Sequence, residues 1–159
     1  MKSNSDVNYL SSCLGFQIAD IRRLTGKLFT GYLSDYPLTL AQGRALIGLA
    51  RQQGIRQVDL AEYLDVQPIT LARMIDQLAG AGYVERRPDP KDRRAFQLFL
   101  LPAAEPIIKF FADKSRQFQQ QVLVGLNDAQ IEILFGGLTH IRTNLDRMLS
   151  GVNVDSEPL

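Results

Sequence analysis

A dense group of basic side chains lies in the middle of the chain, within residues 86–94. Guanidinium and ammonium groups at this density can bind the phosphates of DNA, and arginine can also enter a narrow minor groove. A run of charges is more often a solvated loop, so the group alone is not specific. Its members are Arg86, Arg87, Lys91, Arg93 and Arg94, opposed by Asp89 and Asp92.

A polar stripe at helical spacing precedes this basic group. It consists of Thr70, Arg73, Met74 and Gln77, at positions i, i+3, i+4 and i+7 of a predicted helix. Such side chains can reach base edges and phosphates from within a major groove. A solvated helix face explains the stripe equally well when it is considered alone. The other side of the helix is predicted to face the core and carries Leu71, Ala72, Ile75, Leu78 and Ala79.

These side chains are positioned by a predicted helix-turn-helix. A short helix is expected over 57–64 and a turn over 65–67. Pro68 then suits the first position of the next helix, which is expected to end near Ala79, before two glycines. Arg56 and Gln57, which open the short helix, are predicted to contact phosphates, and Pro68 is included in the predicted DNA-binding set.

A β hairpin is predicted directly after the polar-striped helix. Its strands are expected over 83–87 and 94–101, and the second shows the two-residue alternation of a strand. Residues 88–92 contain two prolines and two aspartates and are not expected to pair regularly. The helix and the hairpin together are far more specific than either alone. The predicted fold is mainly α, a winged helix-turn-helix with six helices and a two-stranded β wing.

Composition bounds the other possibilities. The chain has 159 residues, a net charge of +1, one cysteine and one histidine, which excludes an intrachain disulfide framework and a cysteine- or histidine-rich metal site. No nucleophile elbow, phosphate loop or paired metal ligands occur, so neither an enzyme nor a cofactor is expected. The absence of a long apolar run predicts no membrane partner and a cytoplasmic protein. The helix-turn-helix content indicates a bacterial one.

The central region resembles the MarR/SlyA family of bacterial transcription regulators. The resemblance rests on Asp92-Arg93-Arg94 followed six residues later by Leu100, on the LAEYL helix, and on the RMIDQL segment. The order of helices and hairpin is similar over residues 12–149. Leu101 and Ala104 depart from the threonine and glycine that the family commonly has near these positions.

The resemblance implies a homodimer that binds double-stranded DNA at a pseudo-palindromic operator. Recognition helix 68–79 would enter the major groove and the basic wing 86–94 the minor groove, with Arg94 and then Arg93 as the main wing contacts. Asp92 would hold an arginine in place. The resemblance also implies repression that is released by a small aromatic or phenolic effector.

The same resemblance divides the chain. Residues 12–36 and 102–149 would form a helical dimerisation region and residues 39–101 the DNA-binding region. Residues 1–11 and 150–159 are predicted, from the residues themselves, to be flexible tails. Within the sixth predicted helix, apolar side chains recur at spacings of three and four, which favours packing against a partner helix but suits an internal core equally well. That series is Ile131, Leu134, Leu138, Ile141, Leu145 and Met148.

Other interpretations remain open on the sequence. Cys13, with nearby tyrosines, could make the chain a peroxide-responsive regulator, although a small residue at a helix start is the simpler explanation. Phe110, Phe111 and Phe118 could line an effector pocket, although aromatic residues at helical spacing are more often core. The near-neutral charge allows a winged-helix adaptor that does not read DNA, whereas the clustered wing arginines argue against it.

Overall fold

The computed structural model describes residues 9, 10, 12–33, 36–92 and 95–151. The described residues form helices and one small sheet, which agrees with the predicted mainly α, winged-helix fold. In chain order the elements are α1 (Leu14–Tyr32), α2 (Leu40–Arg51), β1 (Ile55–Arg56), α3 (Gln57–Leu64), α4 (Pro68–Gly80), β2 (Val84–Pro88), β3 (Phe96–Leu100), a 3₁₀ turn (Pro102–Ala104), α5 (Glu105–Val122) and α6 (Asp128–Leu149).

Local capping signals set several helix boundaries. At the start of α2, the backbone N–H of Thr39 donates to Gln42 Oε1 at 2.8 Å, and Thr39 Oγ1 accepts from the Gln42 N–H at 3.3 Å. Asn127 and Gln130 form the same reciprocal pair before α6, with both distances 2.9 Å. Each pair satisfies backbone donors that a helix end leaves open. Both pairs are capping boxes, and each partner lies only three residues from the other.

The helix-turn-helix is formed by α3, a tight turn and α4. Asp65 adopts a left-handed conformation with φ of 54° and ends α3. Pro68 occupies the first turn of α4, as predicted, because its fixed φ suits a helix start and its missing N–H is not needed there. Gly82 follows α4 with φ of +76°, a conformation that favours glycine and turns the chain into the hairpin.

The sheet has three antiparallel strands in the order β1-β3-β2, so the predicted two-stranded wing is one strand short. Ile55 of β1 lies opposite Leu98, and Val84 of β2 lies opposite Leu100. Two residues are too few to show strand periodicity, which is why the sequence pattern does not predict β1. Pro88 is expected in the irregular turn, but it pairs with Phe96 at the end of β2. Proline is tolerated there because β2 is an edge strand, where a missing backbone N–H breaks no hydrogen bond within the sheet.

A single apolar core joins the helix-turn-helix to the sheet and to α5. Its fully buried side chains come from each of these elements, so burial of apolar surface fixes the position of α4 against its neighbours. They include Leu46, Leu49, Leu60, Leu71, Ile75, Leu78, Val84, Leu98 and Phe111.

Two compact units are distinguished within the chain, one ending at Phe118 and the other beginning at Gln119. In the first, α1 contains no buried residue and exposes a series of large apolar side chains: Leu14, Phe16, Ile18, Ile21, Leu24 and Leu28. In the second, α6 likewise contains no buried residue and exposes Ile133, Leu134, Phe135, Leu138, Leu145, Met148 and Leu149. Within the described residues, no helix combines the length and apolar character needed to cross a membrane.

The close approach of α2 and α5 depends on a glycine. A Cβ added at Gly43 would lie 2.2 Å from the ring atoms Cε1 and Cζ of Phe111, whose side chain is only 1% exposed. Gly43→Ala is therefore expected to lower the free energy of unfolding by about 1–3 kcal/mol, as overpacking of a core does. Thermal or denaturant unfolding would measure the decrease.

Gly80→Ala is the matched control for this change. Gly80 ends α4, and a Cβ there would meet nothing within 4 Å. Alanine should be neutral or slightly stabilising at this position, because it reduces the entropy of the unfolded chain. Equal stability of the two variants would contradict the packing role of Gly43.

Candidate nucleic-acid interface

The outward side of α4 carries three of the four residues predicted for the polar stripe. Thr70, Arg73 and Gln77 are exposed. Met74 is only 8% exposed and belongs to the core, so the prediction that it faces outward is wrong. It lies three residues after Leu71 and four before Leu78 on the helix, and it belongs to the same buried apolar cluster.

Arg73 is the principal cation of this helix surface. Its side chain is exposed and has no hydrogen bond or ion pair with any described residue. Thr70, one turn earlier, is also exposed; its backbone N–H donates to the carbonyl of Gln67 at 2.9 Å. An unengaged guanidinium and a hydroxyl one turn apart are able to donate to phosphates or base edges.

Gln77 is tied to the helix before it. Its Oε1 accepts a hydrogen bond from Gln42 Nε2 at 3.0 Å, and Gln42 is the residue that closes the capping box of α2. The hydrogen bond joins residues that are 35 positions apart in the chain. Gln77 therefore links α4 to the start of α2 and is also part of the exposed stripe.

Arg56 lies just before α3 and pairs with Asp59. Arg56 Nε donates to Asp59 Oδ2 at 3.0 Å, and Nη2 donates to Oδ1 at 3.3 Å. The hydrogen bond and the charge of Asp59 raise the pKa of Arg56 above its ordinary value, and Asp89 and Asp92 add smaller contributions of the same sign. Arg56 thus lies in a locally acidic environment.

Arg86 of β2 is turned inward and held by both helices of the helix-turn-helix. Its Nε donates to Gln57 Oε1 at 3.0 Å, its Nη1 to Asp76 Oδ1 at 2.6 Å, and its Nη2 to the carbonyl of Ala72 at 3.2 Å. Gln57 and Arg86, both predicted to contact DNA, are therefore hydrogen-bonded to each other.

Arg87, the next residue, lies on the other side of the strand. Its guanidinium is 4.1 Å from the centre of the Phe99 ring and donates to Glu85 Oε1, with the Nε distance at 2.8 Å. The stacking and the carboxylate hold Arg87 on the surface of the sheet. The ion pair is exposed, so it contributes little stability and is open to exchange.

The tip of the wing is organised by Asp89. This residue is buried, its backbone N–H donates to the carbonyl of Ala95 at 3.0 Å, and its Oδ1 accepts from the Lys91 N–H at 2.7 Å. Lys91 and Asp92 are exposed beside it. The two main wing predictions, Arg93 and Arg94, lie outside the described residues.

The structure also identifies residues that sequence reasoning did not select. Ile69, on the first turn of α4, is 64% exposed although it is large and apolar. Asp76 is an acid on the helix predicted to approach DNA. The helical spacing places Ile69 outside the buried series of Leu71, Ile75 and Leu78, so its exposure could have been predicted. The pairing of Asp76 with Arg86 could not, because no local sequence pattern indicates it.

The remaining candidate sites are the Cys13 thiol, the aromatic cluster that includes Phe110, and a metal site. Cys13 is a partly exposed free thiol at the N-cap of α1, and the peroxide response stays a prediction. Tyr36 stacks on Phe110 with ring centres 4.1 Å apart, and Phe111 is buried, so this aromatic group packs on itself as core. Among the described residues, no group of three histidines, cysteines or acids could hold a metal ion.

Comparison with known proteins agrees with this geometry. The family model described as "MarR family" matches residues 38–96, which span the helix-turn-helix and most of the hairpin. The multiple antibiotic resistance protein MarR of Salmonella typhimurium is 33% identical over 102 residues, covering 64% of this chain and 71% of that protein. MarR of Escherichia coli K12 is 36% identical over 94 residues, covering 59% of this chain and 65% of that protein.

Solved structures extend the similarity to most of the chain. A crystal structure of MarR superposes with a TM-score of 0.79 at 25% identity, covering 87% of this chain and 95% of that one. A cysteine-to-serine mutant of MarR from E. coli, complexed with operator DNA, gives 0.68 at 27% identity, covering 80% and 92%. Sequence identity above 30% over more than two thirds of a curated relative, with the same fold, establishes that this chain belongs to the MarR family of transcriptional regulators.

Proposed function

We propose that this protein is a homodimeric repressor that binds a pseudo-palindromic operator through α4 and the wing. The observation that carries the proposal is the position of Arg73. It is an unengaged, exposed guanidinium on a helix whose opposite side is buried through Leu71, Ile75 and Leu78. A helix anchored in this way can present one side to a major groove without disturbing its packing.

Charge distribution supports the same surface. Net charge is only +1, so attraction to DNA must come from a local surface rather than from the whole molecule. The side chains of Arg73 and Lys91 have no acid partner among the described residues, whereas Arg56, Arg86 and Arg87 each pair with a carboxylate. We assign the first contacts with DNA to Arg73 and Lys91, and, from the family resemblance, to Arg93 and Arg94.

The similarity to MarR supports DNA as the partner. One structure in the comparison is of MarR from E. coli with operator DNA, at 27% identity to this chain. By that similarity we extend operator binding to this protein. Release by a small aromatic or phenolic effector remains a prediction from the family resemblance.

Dimer formation is supported by the exposed apolar side chains of two helices. The apolar series along α1 and along α6 are each open to solvent, and covering such surfaces with a second copy would remove them from water. A twofold dimer would also present two copies of α4 to the two halves of a pseudo-palindromic site.

Arg73→Ala tests the major-groove assignment. A high-affinity sequence is first selected from a random double-stranded DNA pool with the unmodified protein. The variant is expected to bind that sequence about tenfold or more weakly, since a good base contact contributes on the order of 1–3 kcal/mol. Fluorescence anisotropy against the selected site and its single-base variants would also reveal a relaxed base preference.

Lys109→Ala is the control for charge. Lys109 is an exposed cation on α5, an element that belongs neither to the helix-turn-helix nor to the wing. Its removal should leave base preference unchanged. Equal decreases in affinity for the two variants would make Arg73 a general electrostatic contributor and would remove the base-contact assignment.

The wing is tested by the salt dependence of binding. Lys91→Ala and Arg94→Ala should each weaken binding to all sequences and reduce the slope of log K against log salt by about 1 for each phosphate that the variant no longer neutralises. Affinities measured between low and physiological salt give this slope. A slope equal to that of the unmodified protein in both variants would exclude phosphate binding by the wing.

Leu138→Glu tests the dimer. Leu138 lies within the exposed apolar series of α6, and burying a carboxylate in an apolar interface is strongly unfavourable. The variant is expected to be monomeric by sedimentation or light scattering at concentrations where the unmodified protein is dimeric. His140→Glu introduces a carboxylate about 200° around α6 from Leu138 and should remain dimeric. Dissociation of both variants, or of neither, would argue against an interface on the Leu138 side of α6.

A further inference from the structure

The side chain of Arg86 links the wing to both helices of the helix-turn-helix. Three of its nitrogen atoms donate to three separate acceptors: Gln57 on α3, and the Ala72 carbonyl and Asp76 carboxylate on α4. The side chain is 26% exposed. We name this set, Arg86 with Gln57, Ala72 and Asp76, the Arg86 clamp.

The geometry of the clamp uses what distinguishes arginine from lysine. A guanidinium is planar and presents its five N–H donors in a rigid fork, so hydrogen bonds made by three different nitrogens restrict its position and orientation together. Asp76 and Ala72 lie one turn apart on α4, and Gln57 opens α3. The clamp therefore restrains β2 in direction as well as distance relative to the recognition helix.

The chain needs such a restraint at this point. Only residues 81–83 separate the end of α4 from β2, and they form a turn that includes Gly82 with positive φ. Apolar packing of Val84 anchors the start of the strand, but the hairpin extends beyond it toward Pro88. Arg86 lies midway along β2, opposite Leu98, and holds the projecting part of the hairpin to α4.

Asp76 is the informative member of the clamp. Its side chain is 64% exposed and negatively charged, on the helix that we propose enters the DNA groove. A carboxylate in that place opposes DNA binding by simple charge repulsion. Pairing with Arg86 gives the Asp76 carboxylate a different role. Its charge-assisted hydrogen bond with the guanidinium is stronger and more directional than a neutral hydrogen bond.

We propose that Arg86 is a positioning residue that sets the angle between the recognition helix and the wing through Asp76, and that it does not donate to DNA. The inference rests on the proposed function, since it concerns how the DNA-binding surface is held. A fixed angle matters for a site read simultaneously in the major groove by α4 and in the flanking minor groove by the wing. Non-specific binding, which depends on charge, does not require it.

Asp76→Ala gives the decisive test, because the two explanations predict opposite signs. Removal of a surface acid alone would tighten binding to every DNA. Removal of the clamp is expected to weaken binding to the selected sequence by about tenfold or more, the size expected when a charged hydrogen bond is deleted. Binding to a scrambled duplex should be unchanged or tighter. Anisotropy titrations with both duplexes measure the ratio of the affinities for the selected and the scrambled sequence.

Glu62→Ala is the matched control. Glu62 is an exposed acid on α3 in the same unit, and its side chain has no partner among the described residues. Its removal should leave both affinities unchanged or tighten both. If Asp76→Ala behaved in the same way as Glu62→Ala, the clamp would have no positioning role.

A double-mutant cycle separates positioning from direct DNA binding by Arg86. If Arg86 acts through Asp76, the effects of Arg86→Ala and Asp76→Ala on affinity should not add in the double variant. If Arg86 bound phosphate, Arg86→Ala would weaken binding to both duplexes, reduce the salt slope by about 1 for that phosphate, and add to the Asp76 effect. Arg86→Lys, which keeps the charge without the fork, should not restore specific binding.

Folding and function are distinguished within the same experiment. Circular dichroism and thermal unfolding identify any variant that fails to fold. If Arg86→Ala fails to fold, Asp76→Asn is compared with the unmodified protein instead. This variant removes the charge of Asp76 and keeps the shape of the exposed side chain. An unmodified protein that selects no sequence and shows no salt dependence would refute the proposed function. The clamp alone would be refuted if the unmodified protein selects a sequence and the Asp76 variants have its ratio of affinities for the selected and the scrambled duplex.

Discussion

Burial of one side of α4 is the constraint on which the rest of this structure depends. Leu71, Ile75 and Leu78 are fully buried in the core, and α4 packs against α3 and β2. Full burial of each such side chain contributes on the order of 1.5–3 kcal/mol. This packing, and not the polar stripe, fixes the rotation of the helix about its axis. It consequently decides which side chains can leave the protein surface to meet a partner.

Electrostatic pairing then sorts the cations into two groups. Arg56, Arg86 and Arg87 are each held by a carboxylate, whereas Arg73 and Lys91 extend from the described surface without one. The near-neutral net charge of the chain is compatible with this division, since attraction to DNA requires a local excess of available cations and not a high total. Counting basic residues along the wing overstates how many are available. In the Arg86 clamp a cation and an acid pair with each other, and we propose that this pair positions the recognition helix relative to the wing.

The exposed apolar series on α1 and on α6 represent a second constraint. Neither helix contains a buried residue, and contiguous apolar surface of this kind is uncommon on a monomeric protein. We propose that pairing with a second copy covers these surfaces, and the same interaction would present two copies of α4 to DNA. The stability of the DNA-binding unit and the assembly of the protein would then rest on different sets of apolar side chains.

Local signals in the sequence determined much of this protein. The two capping boxes, Pro68 at the start of α4 and the alternation of β3 involve residues only a few positions apart, so their energetics were readable from the chain alone. The motif around Asp92 likewise pointed to the MarR family, which the comparisons confirmed. Together they predicted the mainly α winged-helix fold and the outward exposure of Thr70, Arg73 and Gln77.

Only the tertiary structure decided the rest, because it depends on interactions between distant residues. Met74 lay at the boundary between the two sides of α4, and the surrounding core drew it inward. The short strand β1 exists only because β3 pairs with it. Arg86 meets acceptors 10, 14 and 29 positions away, so no local pattern could distinguish this inward arginine from its neighbour Arg87. The sequence determined which cations and helices are present; three-dimensional packing decided which of those cations remain available to bind DNA.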